Sequence, residues 1–280
     1  MKSPLISVSA LLPQLRGTSL RLIDIRKASS SRQAQAMYAE GHIPGAISLD
    51  LESDLSASEG PGRHPLPSAS AFSLTLETAG IGPEHNIVCY DNFGGALAAR
   101  AWWMLESIGH KSVFVLDGGI EHWQRAGHAL QNSTPSYPKA RWHSASATRQ
   151  KTNCPTVDRQ SLADNLADTR IIDARAAERF RGETEPLDPV AGHILGSISA
   201  PYADNLIAGR FKPADELRQR FSRLGILSAK GIVCSCGSGV TACHNILAMR
   251  IAGLGQATLY PGSWSDWCES NLPMVPSSGR

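Results

Sequence analysis

The stretch Ile232–Val233–Cys234–Ser235–Cys236–Gly237–Ser238–Gly239–Val240–Thr241–Ala242–Cys243 changes character twice. Its apolar, β-branched opening ends at Cys234 and suits a buried strand. Cys236 begins a turn whose small residues, Gly237, Ser238 and Gly239, let the backbone curl tightly. From Thr241 the pattern is helical and runs to Gly253, a C-terminal stop. A cysteine at such a junction sits where unpaired backbone N–H groups converge and the helix dipole is positive. Those surroundings favour the thiolate, the reactive form of the side chain. The competing reading is a cysteine packed in a tight loop.

The same order of elements occurs twice. Ile171–Ile172–Asp173–Ala174–Arg175 repeats Leu22–Ile23–Asp24–Ile25–Arg26, and Gly192–His193–Ile194 repeats Gly41–His42–Ile43. Ile232 to Cys236 repeats Ile87 to Asp91, and Pro261–Gly262–Ser263 with Trp267 repeats Gly118–Gly119–Ile120 with Trp123. Four matches in one order, at offsets of 143 to 151 residues (144 for the two tryptophans), mean a duplicated domain. Strands alternating with helices predict a mainly parallel sheet, covered on both faces, in each half. The duplication also supplies a control. Cys236 stands where the first half has Asp91, so the architecture does not need a thiol there. Cys89 and Cys234 match each other on the strand and read as core.

Composition bounds the partners. The 280 residues suffice for two cores, and 19% charged with 42% apolar residues is ordinary for a soluble globular chain. A net charge of +2 without a basic run gives no footprint for nucleic acid, and no apolar run spans a bilayer. Met1 to Leu12 is apolar but broken by Pro4 and serines, so it reads as an opening strand and helix rather than a secretory signal. Six cysteines in a chain this long do not make a disulfide scaffold; they predict a reducing compartment, the cytoplasm. Their spacing matches no zinc pattern, so no metal is expected.

With the duplicated halves, the paired Gly-His-Ile turns and Cys236–Gly237–Ser238–Gly239–Val240–Thr241–Ala242 in view, the sequence resembles the tandem-domain rhodanese family of sulfurtransferases, from roughly Leu5 to Trp267. The loop is similar to that of the mercaptopyruvate branch; thiosulfate-using members tend to carry Arg and Lys directly after the cysteine. The resemblance implies an α/β chain of two tandem rhodanese-like domains: an inactive one at 1–130 with Asp91 at the cysteine position, a linker at 131–155, and a catalytic one at 156–280. It implies double displacement without a cofactor. Cys236 takes sulfur from mercaptopyruvate as a persulfide, pyruvate leaves, and cyanide, a small thiol or thioredoxin removes the sulfur. The implied chain is a monomer.

Site roles follow from the same resemblance. Backbone N–H groups of Gly237, Gly239, Val240 and Thr241 would form a nest for the anionic sulfur. Arg179, in Ala-x-x-Arg-Phe, would bind the substrate carboxylate. The resemblance also implies a second arginine near Leu187 or Asp188, and this chain has none there. Ser238, His64 and an acid at Glu52, with Asp54 or Asp50 as alternatives, match a Ser–His–acid set; histidine titrates near neutral pH and could shuttle a proton. His42 and His193 pair across the repeat and read as structural, as does Arg175 in an ion pair. Cysteine phosphatases use Cys-x5-Arg, but Ala242 holds the arginine position here, which argues against phosphoryl transfer. The remaining alternatives are a thiosulfate-using enzyme and a non-catalytic sulfur carrier or regulatory module.

Overall fold

The computed structural model describes residues 3–142 and 154–276. The chain divides into two compact units, one of Lys2–Ser58 with Leu66–Asn153 and the other of Glu59–Pro65 with Cys154–Arg280. A short loop from the first half of the sequence therefore belongs to the second unit.

The first unit holds five strands: β1 (Leu5–Ile6), β2 (Leu20–Ile25), β3 (Ala46–Ser48), β4 (Asn86–Asp91) and β5 (Val113–Leu116). They lie in the order β1-β5-β4-β2-β3, every pair parallel. All six residues of β2 are buried, as a strand covered on both faces requires. Its buried Arg21 is satisfied locally, Nε donating to the Gly80 carbonyl at 3.0 Å. Helices α1 (Val8–Leu11), α2 (Ser31–Glu40), α3 (Ala69–Thr78), α4 (Ala96–Ser107) and α5 (Gly119–Arg125) follow the strands. The apolar pattern predicts α3 from Phe72; it starts earlier because Ser68 caps it, its Oγ accepting from Ala71 N–H at 3.1 Å.

The second unit repeats this plan. Its helices are α6 (Arg159–Asp164), α7 (Ala177–Phe180), α8 (Ala214–Arg223), α9 (Val240–Ile251) and α10 (Ser263–Trp267). Strands β6 (Arg170–Asp173), β8 (Ile198–Ser199), β11 (Ile232–Ser235) and β12 (Thr258–Leu259) form a parallel sheet in the order β12-β11-β6-β8. Thr156 bridges Leu259 in parallel at the edge where β1 meets β5 in the first unit. Two further short ladders are antiparallel: β7 (Gly192–Ile194) with β13 (Met274–Pro276), and β9 (Leu206–Ile207) with β10 (Arg210–Phe211).

The paired motifs are one device used twice. Arg26 clasps Asp24 and donates to the Gly41 carbonyl at 2.7 Å; Arg175 clasps Asp173 and donates to the Gly192 carbonyl at 2.8 Å. The following histidines stack on an aromatic ring at 3.9 Å, His42 on Tyr38 and His193 on Phe180. Each Nδ1 meets that aromatic residue's carbonyl. An Asp-x-Arg at a strand end thus ties down the Gly-His-Ile turn that leads to the next strand.

Of the segment expected as a linker, residues 143–153 lie outside the described residues. Before them the chain runs without helix or strand along the first unit: Gln131 bridges His42, the Tyr137 hydroxyl donates to Gly45, and Trp142 Nε1 donates to Ile81. Among the described residues no helix is long and apolar enough to cross a membrane.

Candidate active site

β11 delivers Cys236 and α9 begins at Val240, with Gly239 as its N-cap in the left-handed region at φ +76°. A Cβ at Gly239 would collide with the Pro261 carbonyl, so glycine is required on both counts. In the first unit β4 delivers Asp91 and Gly95 caps α4 at φ +88°. Asp91 shows what this kind of loop binds. Its buried carboxylate accepts from Phe93 and Gly95 N–H on one oxygen, at 2.9 and 2.8 Å, and from Leu97 and Ala98 N–H on the other, at 2.8 and 2.9 Å. Burial raises the carboxyl's pKa above its ordinary value, and those four donors act in the opposite sense. Counted from the caps, the equivalents of Gly95, Leu97 and Ala98 are Gly239, Thr241 and Ala242. The Cys236 loop is one residue shorter, with Cys236, 1% exposed, in place of the carboxylate.

The loop after β12 closes over the thiol. Trp264 N–H donates to the Cys236 carbonyl at 3.0 Å and Ser265 N–H to the Gly237 carbonyl at 2.9 Å. The repeat is one residue out of the register read from the sequence: Ser263, not Gly262, is the counterpart of Gly119, with φ of +54° and +56°. Ser263 is fully buried in a backbone region that costs a non-glycine residue about 1–2 kcal/mol. Its Oγ accepts from Cys236 N–H at 3.0 Å, donates to the Tyr260 carbonyl at 2.9 Å, and lies 4.0 Å from Cys236 Sγ. The first half, with no thiol to serve, has glycine there. Ser263→Gly is therefore expected to be more stable than Ser263→Ala by about 1 kcal/mol, the reverse of the usual order, with both less active than the native chain. Denaturant midpoints of the two variants check this; an alanine variant as stable as the glycine one would remove the strain from the argument.

The loop Gly60–Pro61–Gly62–Arg63–His64–Pro65 lies against the same turn. Gly62, at φ +76°, leaves no room for a Cβ against Gly262 and Ser265, and Arg63 N–H donates to Ser265 Oγ at 3.0 Å. That docking brings His64 Nδ1 to 2.7 Å from Ser238 Oγ. A histidine and a hydroxyl two residues from the thiol are thereby joined.

Arg63 and Arg179 both reach the thiol's neighbour. A Cβ placed at Gly237 would lie 2.9 Å from Arg63 Nη2 and 3.5 Å from Arg179 Nη1 and Nη2. Arg179 Nη2 donates to Glu185 at 2.6 Å and to Asp188 Oδ2 at 3.3 Å, while Arg63 Nη1 pairs with Asp188 Oδ1. Glu185 also takes Arg175 Nη1 at 3.3 Å and the N–H groups of Leu187 and Asp188, which shapes this turn. Burial pushes the Arg63 guanidinium below its ordinary pKa, and the neighbouring Arg179 charge adds to that. Arg179 Nε is buried without a hydrogen-bond partner among the described residues. Nothing in the order of residues points to Arg63 beyond its place beside His64.

The Rhodanese-like domain family model matches residues 7–126 and again 158–270. The chain belongs to the rhodanese-like family. The protein named "Probable 3-mercaptopyruvate sulfurtransferase" of Pseudomonas aeruginosa is 42% identical over 272 residues, 94% of each chain. The thiosulfate sulfurtransferase of Rattus norvegicus is 33% identical over 276 residues, covering 94% of this chain and 91% of that one. The crystal structure of the 3-mercaptopyruvate sulfotransferase of Escherichia coli matches with a TM-score of 0.81 at 31% identity, covering 94% of this chain and all of that one.

The rhodanese-like halves share a strand cysteine and differ in the loop. Cys89 and Cys234 are fully buried, and burial pushes both thiols well above their ordinary pKa. Cys268 is raised for the same reason, and Cys243 packs with Sγ 3.4 Å from the Gly239 carbonyl. His244 is buried, stacked on Phe211 at 4.4 Å. α9 opens at Val240, one residue before the Thr241 start read from the sequence, and ends at Ile251. Glu52 is exposed in the turn after β3, in the first unit. Asp50 Oδ1 accepts from Glu52 and Ser53 N–H in that turn, and Asp54 Oδ2 accepts from Asp50 N–H. Among the described residues no group of three or more His, Cys, Asp or Glu is gathered to hold a metal ion.

Proposed function

We propose that this rhodanese-like protein moves sulfur from 3-mercaptopyruvate to a thiophilic acceptor through a persulfide on Cys236. The Cys236 thiolate attacks the donor sulfur, an S–S bond forms and the C–S bond breaks. The electron pair left on carbon takes the proton that the donor thiol gives up, and pyruvate departs. A thiol, thioredoxin or cyanide then attacks the outer sulfur and restores the thiolate. The N–H groups of Gly239 and Thr241 would hold the anionic sulfur as their counterparts Gly95 and Leu97 hold the Asp91 carboxylate, with those of Gly237 and Val240 completing the nest. Arg179 would bind the donor carboxylate. Ser238 and His64 would carry the proton.

The observation that carries this reading is the 2.7 Å contact between His64 Nδ1 and Ser238 Oγ. Breaking a C–S bond requires a proton to reach carbon; thiosulfate cleavage expels sulfite and requires none. A relay beside the thiol therefore favours the carboxylate-bearing mercaptan as donor. Paired assays with cyanide as acceptor test it. Mercaptopyruvate is expected to exceed thiosulfate in kcat/KM by about 100-fold or more, the lower end of what positioned acid–base groups contribute. A preference for thiosulfate would overturn the assignment.

A further inference from the structure

We propose that the first unit carries a binding site of its own, for a small apolar monocarboxylate, built around Arg21 at the opposite end of the sheet from Asp91. Arg21 pairs with Ile87 near the start of β4, whereas Asp91 ends that strand. Arg21 is only 8% exposed. Its Nε donates to the Gly80 carbonyl and its Nη1 to those of Thr18 and Leu20, at 2.8 to 3.0 Å. Those carbonyls answer the N–H groups but not the charge. Arg26, Arg159, Arg175 and Arg179 each pair with a carboxylate. Among the described residues no acid pairs with Arg21, and nothing accepts from its Nη2. A buried cation without a counter-ion is costly, and a bound carboxylate would supply both the missing charge and the missing acceptor.

The duplication separates a structural task from this one. Leu22 to Arg26 matches Ile171 to Arg175, so Arg170 stands where Arg21 does. Arg170 donates Nη1 to the Gly225 carbonyl and Nη2 to that of Leu224, tying down the turn after α8 as Arg21 ties the turn after α3. That task leaves Arg170 exposed, where water screens its charge. Arg21 is covered instead. Its guanidinium carbon lies 4.0 Å from the centre of the Tyr137 ring, and the Tyr137 hydroxyl is fixed on the Gly45 carbonyl at 3.0 Å. Arg21 and Tyr137 line a cavity of about 290 Å³ with apolar walls from Leu15, Leu20, Leu22 and Pro44, and no acidic side chain lines it. At roughly 30 Å³ apiece, the share of one water molecule, it has room for about ten non-hydrogen atoms. The arginine selects the carboxylate, and the walls select a short hydrocarbon body.

Benzoate fits that size, and benzamide is its uncharged counterpart. Backbone amide chemical shifts of the full chain, followed during titration with each, test the site. Benzoate is expected to saturate shifts at Thr18, Arg21 and Gly45 with a dissociation constant of about 1 mM or below. Benzamide, which lacks the charge, and inorganic phosphate, which lacks the apolar body, should each bind at least about 10-fold more weakly. Arg21→Gln should lower benzoate affinity about 10- to 100-fold. The benzoate–benzamide comparison needs only the native chain, so it decides the matter even where that variant fails to fold. Shifts confined to Gly237–Thr241 would place the acid at the catalytic loop instead. That outcome, equal affinity for benzamide or phosphate, undiminished benzoate binding by Arg21→Gln, or no saturation below about 10 mM would overturn the assignment.

Discussion

The Cys236→Ser protein is expected to fold like the native chain and to release no pyruvate from mercaptopyruvate above background. The exchange is nearly isosteric at a site 1% exposed, so stability should move by less than about 1 kcal/mol. A serine hydroxyl stays protonated at neutral pH and cannot store sulfur as a persulfide, so both halves of the double displacement are lost. Incubating the native protein with mercaptopyruvate and no acceptor should add one sulfur atom to the peptide containing Cys236; the serine protein should gain nothing. Residual steady-state turnover in Cys236→Ser would end the mechanism proposed here. Cys89 and Cys234 provide the contrast: their thiols are deeply buried with raised pKa values, and the loading experiment should leave their peptides unmodified.

His64→Gln is expected to slow mercaptopyruvate turnover by about 100-fold or more while changing thiosulfate turnover less than threefold. Only the first donor needs a proton delivered to carbon. Ser238→Ala should give a loss of similar size. The double variant should be little worse than either single one, because a relay broken at one link carries nothing through the other. Steady-state kinetics of the three variants on both donors checks this. Additive losses, or equal losses on the two donors, would assign the pair a packing role.

The fold was legible because a duplicated pattern is self-checking. Asp24–Arg26 and Asp173–Arg175, with the two Gly-His-Ile turns, recur at matching places and form the same clasp in both halves. Cys236 stood out in the sequence through the contrast with Asp91, and Ser238, His64 and Arg179 were named only through the family resemblance. From the residues' own pattern the contacts of the site were hidden, for two physical reasons. Its contacts join residues remote in sequence, 125 positions apart for Arg63 and Asp188 and 174 for His64 and Ser238. Periodicity, which reports only local structure, carries no trace of them. Ser263 was hidden differently. The letters Pro261–Gly262–Ser263 align most readily by their glycine, whereas backbone conformation matches Ser263 to Gly119, and strain at a serine has no sequence signature. The ladders β7–β13 and β9–β10 escaped because two- or three-residue strands are too short to show alternation.

The loop Glu59–Pro65 has a consequence for how this gene product can be divided. The duplication suggests that cutting within 131–155 would free a self-sufficient catalytic module. The separated C-terminal piece would keep the thiol, its nest, Arg179 and the strained Ser263. It would lose His64 and Arg63, and with Gly62 the loop that covers Gly262 and Ser265. On the proposed mechanism, the half that lacks a nucleophile thus supplies the histidine of the relay. Exchanging one half for a relative's would therefore have to carry a compatible loop Glu59–Pro65 across with it.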